Sequence, residues 1–248
     1  MSQPSVLEPE PTALRGAKGE AGMASDLAYS PPVSPPAVEL DDGATIAARA
    51  RNLILLDYDD TLLASTWLTE QGQRVDDTCE LPDSLVAEMR ALEDDVVAFL
   101  SEAQSRGHVV VVTNAETGWL EMSSARFAPR IGEMLSACGV QVRSARSTFE
   151  CDYPNSPTDW KREMFLWEFD AAQERSEQFR SVISIGDSLN EREAAHFAST
   201  QRQAIHAKTV KFVERPSVEQ LRRQLALLTT NLQEICAHDG AFDVNLVC

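Results

Sequence analysis

Residues 53–63 read Leu-Ile-Leu-Leu-Asp-Tyr-Asp-Asp-Thr-Leu-Leu, an unbroken apolar run that stops at acids. A continuous run, rather than an alternating one, is what a strand covered on both faces looks like, as in a parallel sheet. Asp57 then stands at the carboxyl end of a buried strand, with Asp59 two residues on across a sharp turn. Carboxylates this close repel, and one keeps its proton unless a cation shares the site. With a divalent ion present, the first can stay ionised as a nucleophile. The second can carry a proton to a leaving group and later take one from water. Asp-Asp-Thr clusters are also frequent turn formers, so by itself the segment reads equally well as a polar turn.

Working outward, four more short runs follow: Val109–Val112 ending in Thr113-Asn114, a weaker Val140–Val142, Val182–Ile185 ending in Gly186-Asp187, and Thr209–Val213. Amphipathic stretches lie between them. Leu85, Val86, Met89, Leu92, Val96, Val97 and Leu100 share one helical face, with Gly107 where a C-terminal cap belongs. A second helix spans Arg162 to about Arg180, with an apolar cluster at Met164, Phe165, Trp167 and Phe169. Pro216-Ser217 with Gln220 resembles a capping box. It opens a helix whose stripe is Val218, Leu221, Leu225, Leu228, Leu232 and Ile235. That stripe suits packing on the protein's own sheet or the seam of a homodimer. Phe242–Val247 reads as a short edge strand. Strands alternating with helices specify an α/β, doubly wound parallel sheet. Ligands in such sheets bind beyond the carboxyl ends of the strands. Asp57, Asp59, Thr113, Asn114 and Asp187 all fall there.

Composition limits the function classes. The chain has 248 residues, 22 basic and 39 acidic side chains and a net charge of −17. Nucleic-acid binders carry a basic stripe instead, so no nucleic-acid partner is expected. There is no apolar run of about 18 residues to span a membrane. No basic segment precedes an apolar one near the N-terminus, and Glu8, Glu10, Glu20 and Asp26 argue against a transit peptide. A cytoplasmic location is expected, with the nucleus also open. Five cysteines without a CxxC pair indicate neither a zinc site nor a disulfide framework. Residues 1–50 are rich in Pro, Ala, Ser and Glu and include Ser-Pro-Pro-Val-Ser-Pro-Pro, so a disordered tail is expected there. The domain occupies 51–248.

The remaining polar groups suit phosphate chemistry. The Thr113 hydroxyl and the main-chain N–H groups at Thr113-Asn114 can grip phosphate oxygens, although Thr and Asn also fill helix N-caps routinely. Lys161, in Pro-Thr-Asp-Trp-Lys-Arg-Glu-Met-Phe, starts a helix after the third strand. Its ammonium could neutralise an aspartyl nucleophile and an incoming phosphoryl group. Gly186 permits a tight turn, Asp187 can bind a hard cation, and Glu191 lies one helical turn later on the same face. Glu191 serves as well to complement the dipole at a helix start.

Taken in order, Asp-Tyr-Asp-Asp-Thr at 57–61, strand-Thr113-Asn114, Lys161 and the block Ile185-Gly186-Asp187-Ser188 with Glu191 resemble the four motifs of the haloacid dehalogenase superfamily. The resemblance covers roughly residues 52–215 and implies a three-layer sandwich of strand order 5-4-1-2-3. It implies that Asp57 attacks phosphorus and Asp59 is the acid/base. It also implies that Thr113 and Lys161 clamp the phosphoryl oxygens. Mg²⁺ would be held by the Asp57 carboxylate, the Asp59 main-chain carbonyl and Asp187. An Asp at 59 favours phosphoryl transfer, since dehalogenating members lack that second acid. The further blocks at 59–68, 113–119, 144–147 and 159–161 are similar to a eukaryotic group within the superfamily that has no full cap domain. Asp60 departs from the glycine common at its position, and Glu191 from the usual aspartate. The stretches on either side of the second strand leave no room for a cap, so an open site is expected. Residues 62–81, with Trp67, would form a flap, and Trp119 would line the rim or fill the core.

The expectation is thus a Mg²⁺-dependent phosphatase acting on a phosphorylated metabolite or phosphoprotein. The alternatives are a phosphotransferase using the same intermediate, or a binding protein that kept the fold without activity. Gly186-Asp187-Ser188-Leu189 also spells the signature of a serine esterase family. That family carries the block after its first strand and an Asp three residues before its histidine, and none of His108, His196, His206 and His238 has one.

Overall fold

Asn52–Leu56 forms β1, buried along its whole length. Its side chains alternate between the two faces of the sheet. Leu53 and Leu55 enter one apolar cluster, and Ile54 and Leu56 the other. A strand buried on both faces has no polar positions to spare, which is why its sequence does not alternate. The protein is described by a computed structural model over residues 52–174, 179–202 and 205–247. The tail expected over 1–50 lies outside the described residues.

After β1 come α1 (Ser65–Glu70), α2 (Asp83–Arg106), β2 (His108–Thr113), α3 (Trp119–Phe127), α4 (Pro129–Ala137) and β3 (Gln141–Ser144). They are followed by α5 (Ala145–Phe149), α6 (Pro157–Glu174), β4 (Ser181–Gly186), α7 (Leu189–Gln201), β5 (His206–Lys211), α8 (Val218–Ala237) and β6 (Phe242–Asn245). The strands make one sheet of order β3-β2-β1-β4-β5-β6 in which every pair is parallel. Helices cover both faces, so the fold is α/β and Rossmann-like. The expected order 5-4-1-2-3 differs from it: read from the other edge the sheet runs 6-5-4-1-2-3, with β6 added beyond β5.

The stripe Val218, Leu221, Leu225, Leu228 and Leu232 is buried, and α8 packs along α2. Its capping box is present, Ser217 and Gln220 satisfying each other's main-chain N–H groups. Helix α2 buries Leu85, Met89, Leu92, Val96 and Leu100, joined by Phe99 and Ala103. No helix among the described residues is long and apolar enough to cross a membrane.

Three expectations shift. Helix α6 begins at Pro157, ahead of the expected Arg162, because Pro suits the first helical position. Trp167 leaves the apolar cluster and is 44% exposed, with the Arg143 guanidinium 4.7 Å above its ring. Strand β5 starts earlier than Thr209, since fully buried Lys208 is a core residue of it. The Lys208 ammonium is satisfied by the carbonyls of Ile235 and Cys236, each at 3.0 Å. This places a cation at the carbonyl-rich end of α8.

Gly107 does cap α2, but with extended backbone rather than the left-handed turn usual for glycine. What demands glycine is close approach. A Cβ there would lie 2.5 Å from the main-chain oxygen of Asn52 in β1. Gly107→Ala is therefore expected to lower the unfolding free energy by about 1–3 kcal/mol, as read by urea denaturation. A neutral result would mean that β1 yields freely at Asn52.

Candidate active site

At the carboxyl end of β1 the chain reverses through a turn organised by one carbonyl. The Tyr58 oxygen accepts from the N–H of Leu62 at 2.8 Å and of Leu63 at 3.1 Å. The Asp57 N–H still bonds the Ile185 oxygen of β4 at 2.9 Å, which fixes the nucleophile candidate to the sheet. Asp60 takes a left-handed conformation, φ +54°, a region in which Asp is tolerated better than most residues. Its carboxylate accepts from the Thr66 N–H at 2.9 Å and thereby ties the turn to α1. The Thr61 hydroxyl is buried with no hydrogen-bond partner among the described residues.

Strand ends and helix starts bring the other residues to this turn. Asp57, Asp59, Asp60, Thr113, Asn114, Asp187 and Glu191 line one open cleft of about 420 Å³, together with Ser65, Thr66, Trp119, Ser188 and Asn190. The cleft lies beyond the carboxyl ends of β1, β2 and β4. Thr113 closes β2; its hydroxyl accepts from the Ala115 N–H at 2.9 Å and stands 3.4 Å from Asp59 Oδ2. Asn114 donates its amide to the Pro157 oxygen at 3.2 Å. The indole N–H of Trp119 donates to Asp59 Oδ1 at 2.9 Å. Trp119 is thus on the rim while its ring packs against the core, a contact that sequence spacing does not signal. Trp67 and the start of the 62–81 segment pack inward, Leu62, Leu63 and Leu68 being buried; most residues from Thr69 to Glu80 are exposed.

Lys161 lies behind the cleft with 0% exposure. Its ammonium reaches Asp57 Oδ1 at 2.5 Å, Glu191 Oε1 at 3.0 Å and the Val112 carbonyl. Those are three acceptors for three protons. Glu191 is occupied on both sides, since Oε2 takes the Ser188 hydroxyl at 2.5 Å and the Ser188 N–H at 3.2 Å. Its place is thus the third helical position, closing the capping box that opens α7, turned at the same time onto Lys161. Gly186 has no left-handed backbone. It is required because a Cβ would lie 2.5 Å from Glu191 Cγ. The Ser188 hydroxyl, accepting from the Asn190 N–H and donating to Glu191, bonds no histidine.

The electrostatics are those of excess negative charge out of water. Burial raises the Asp57 carboxyl well above the ordinary range, against the pull of Lys161, and Glu191 and Asp59 add to it. Burial also raises Asp59, opposed by the Trp119 hydrogen bond. Asp187 is pushed up to about 7, by burial first and then by Glu191 and Asp60. For Glu191, burial acts upward, but the Lys161 charge and the Ser188 bond outweigh it and hold the carboxyl low. Desolvation pulls the Lys161 ammonium down; Asp57 and Glu191 reverse this and raise it. We assign the charge to Lys161 and Glu191, a pair with complete hydrogen bonding. At Asp187 the Lys161 and Lys211 charges oppose the rise without cancelling it.

With models of known families, curated proteins and solved structures, the chain finds no match. Its chemistry must be read from its own groups. Among the described residues no three His, Cys, Asp or Glu side chains are grouped so as to hold a metal ion as they stand. The expected ligand set draws only two carboxylates, Asp57 and Asp187, and completes itself with the main-chain oxygen of Asp59.

Two outcomes follow from the charge balance. Lys161→Met strips two buried carboxylates of their shared counter-charge, and a loss of about 3–5 kcal/mol in urea-measured stability is expected. Asp187 has a folded-state value near 7 against an ordinary 3.8. Its effect on stability is therefore favourable below the lower value and lost as the pH rises through about 7. In chelator-treated protein, Asp187→Asn should match the parent at the acid end. At pH 8 it should melt higher, by about 2–4 °C for each kcal/mol gained. Melting curves that stay parallel across this pH range would remove the assignment.

Proposed function

We propose that this protein is a magnesium-dependent phosphomonoesterase, a phosphatase of the haloacid dehalogenase type that forms an aspartyl-phosphate. One observation carries the reading. Asp57, Asp59, Thr113 and Asp187, from three separated strand ends, line a single cleft, and Lys161 bonds the first of them from behind. A fully buried ammonium with carboxylates gathered at strand ends is the kind of desolvated, perturbed cluster that functional sites assemble.

In this reading Asp57 Oδ1 is held by Lys161, and Oδ2 is the oxygen that attacks phosphorus. The bond from phosphorus to the leaving oxygen breaks as the bond to Asp57 forms, and the proton on Asp59 passes to the departing alkoxide. A water then attacks the acyl phosphate, Asp59 takes its proton, and inorganic phosphate leaves with Asp57 restored. Thr113, beside Asp59, is in position to donate to a phosphoryl oxygen. Lys161 keeps the nucleophile oriented and neutralises charge at its base; it would contact the phosphoryl group only by giving up one of its three partners.

A hard divalent cation fits the donor set. Burial raises the Asp57 and Asp187 carboxyls first, and neighbouring acids add to each against the pull of Lys161 and, at Asp187, of Lys211; oxygen donors of this kind suit Mg²⁺. Asp57, Asp187 and the Asp59 main-chain oxygen would hold it, with Glu191 engaged elsewhere. When bound, it would neutralise phosphoryl charge and lower the repulsion between the acids. Openness of the cleft is compatible with a phosphorylated metabolite or a phosphoprotein as substrate.

The test is turnover of phosphomonoesters with Mg²⁺. Asp57→Asn is expected to reduce it to background, and Lys161→Ala to cost about 100–1000-fold in rate. Chelation should abolish it reversibly. Near-normal turnover by Asp57→Asn would end the proposal.

A further inference from the structure

Helix α3 touches the acid-bearing turn twice from one face. Trp119 donates its indole N–H to Asp59 Oδ1 at 2.9 Å. Four residues on, and hence on the same side of the helix, Ser123 Oγ meets the buried Tyr58 hydroxyl at 3.0 Å. Ser123 also donates to the Trp119 carbonyl at 2.7 Å, so the two contacts are linked through the helix's own first turn. The loop before α3 is anchored in turn. Ser144 Oγ donates to the Ala115 oxygen at 2.6 Å, and the Thr117 N–H donates to Ser147 Oγ at 3.0 Å. Gly118 supplies the left-handed residue, φ +93°, that swings the chain into the helix.

We infer that Trp119 is a positioning residue for proton transfer, holding the Asp59 carboxyl so that Oδ2 faces the leaving oxygen; this rests on the phosphatase reading above. An indole N–H can only donate, so the oxygen it binds can only accept. Oδ1 is thereby committed as an acceptor, which leaves the transferable proton to Oδ2; the Thr113 hydroxyl, 3.4 Å from Oδ2, and the Ser65 side chain are the carboxyl's other partners. A carboxyl free to rotate would present either oxygen and spend its proton in unproductive directions. Pinning one oxygen keeps the acid in attack geometry at no cost when the reaction occurs.

Dependence on the leaving group separates this role from mere support of the fold. p-Nitrophenyl phosphate releases a weakly basic phenoxide that departs without a proton. Glycerol 2-phosphate releases an alkoxide that needs one. In the full chain with Mg²⁺, Trp119→Phe keeps an aromatic ring and deletes the donor. Its kcat on glycerol 2-phosphate should fall about 10–100-fold, with KM unchanged and a much smaller loss on the aryl ester. In the Asp59→Asn background, which has no proton to position, the same substitution should cost nothing further. An equal proportional loss on both esters, or a full additional loss in the Asp59→Asn background, would overturn the positioning role. Asp57→Asn measured alongside tests the underlying reading. If that variant is inactive while Trp119→Phe behaves uniformly, the positioning role alone fails. If Asp57→Asn still turns over, both fail.

Discussion

A single ammonium removed from water sets the terms for this molecule. Lys161 is fully buried and reaches the Asp57 carboxylate just past β1, a carboxylate of α7 and a carbonyl of β2. Each of those partners belongs to a different segment, so the ion can be satisfied only when four parts of the chain have assembled in register. Burying such a charge with incomplete pairing would cost several kcal/mol. The apolar cluster that seats α6, with Trp160, Met164, Phe165 and Phe169, delivers Lys161 to that spot and holds it there. Packing thus supplies the placement, and the ion pair supplies the specificity.

The same constraint runs on into helix α7. Glu191 closes the capping box with Ser188 and at the same time completes the lysine's coordination. One side chain therefore satisfies the start of a helix and the base of the cleft. Gly186 is fixed by it as well, since any side chain there would strike Glu191. Asp187, between them, is then delivered to the cleft, where burial first and then the Glu191 and Asp60 charges raise its carboxyl.

Much of this was legible in the chain. Unbroken β-branched and leucine runs mark β1, β2 and β4 because both faces of those strands are covered, and their ends mark where polar groups must gather. Edges were harder. Strand β3 is half-exposed throughout, so its pattern is weak. β5 hides behind Lys208, a charge that reads as surface until α8 arrives to receive it. Trp167 reads as core by hydrophobicity, yet it lies outside, covered by Arg143. The indole contact to Asp59 joins residues 60 positions apart, and no local spacing announces it.

Sequence by itself determined the alternation of strand and helix, the helix cap at Ser217, and which acids end buried strands. These follow from neighbours within a few residues, where burial and main-chain satisfaction are decided locally. Only the tertiary structure decided that Lys161 sits behind Asp57, that Glu191 answers the lysine, and that Trp119 holds Asp59. Those are pairings across the sheet, and their energies depend on desolvation and distance, which exist only once the layers have closed.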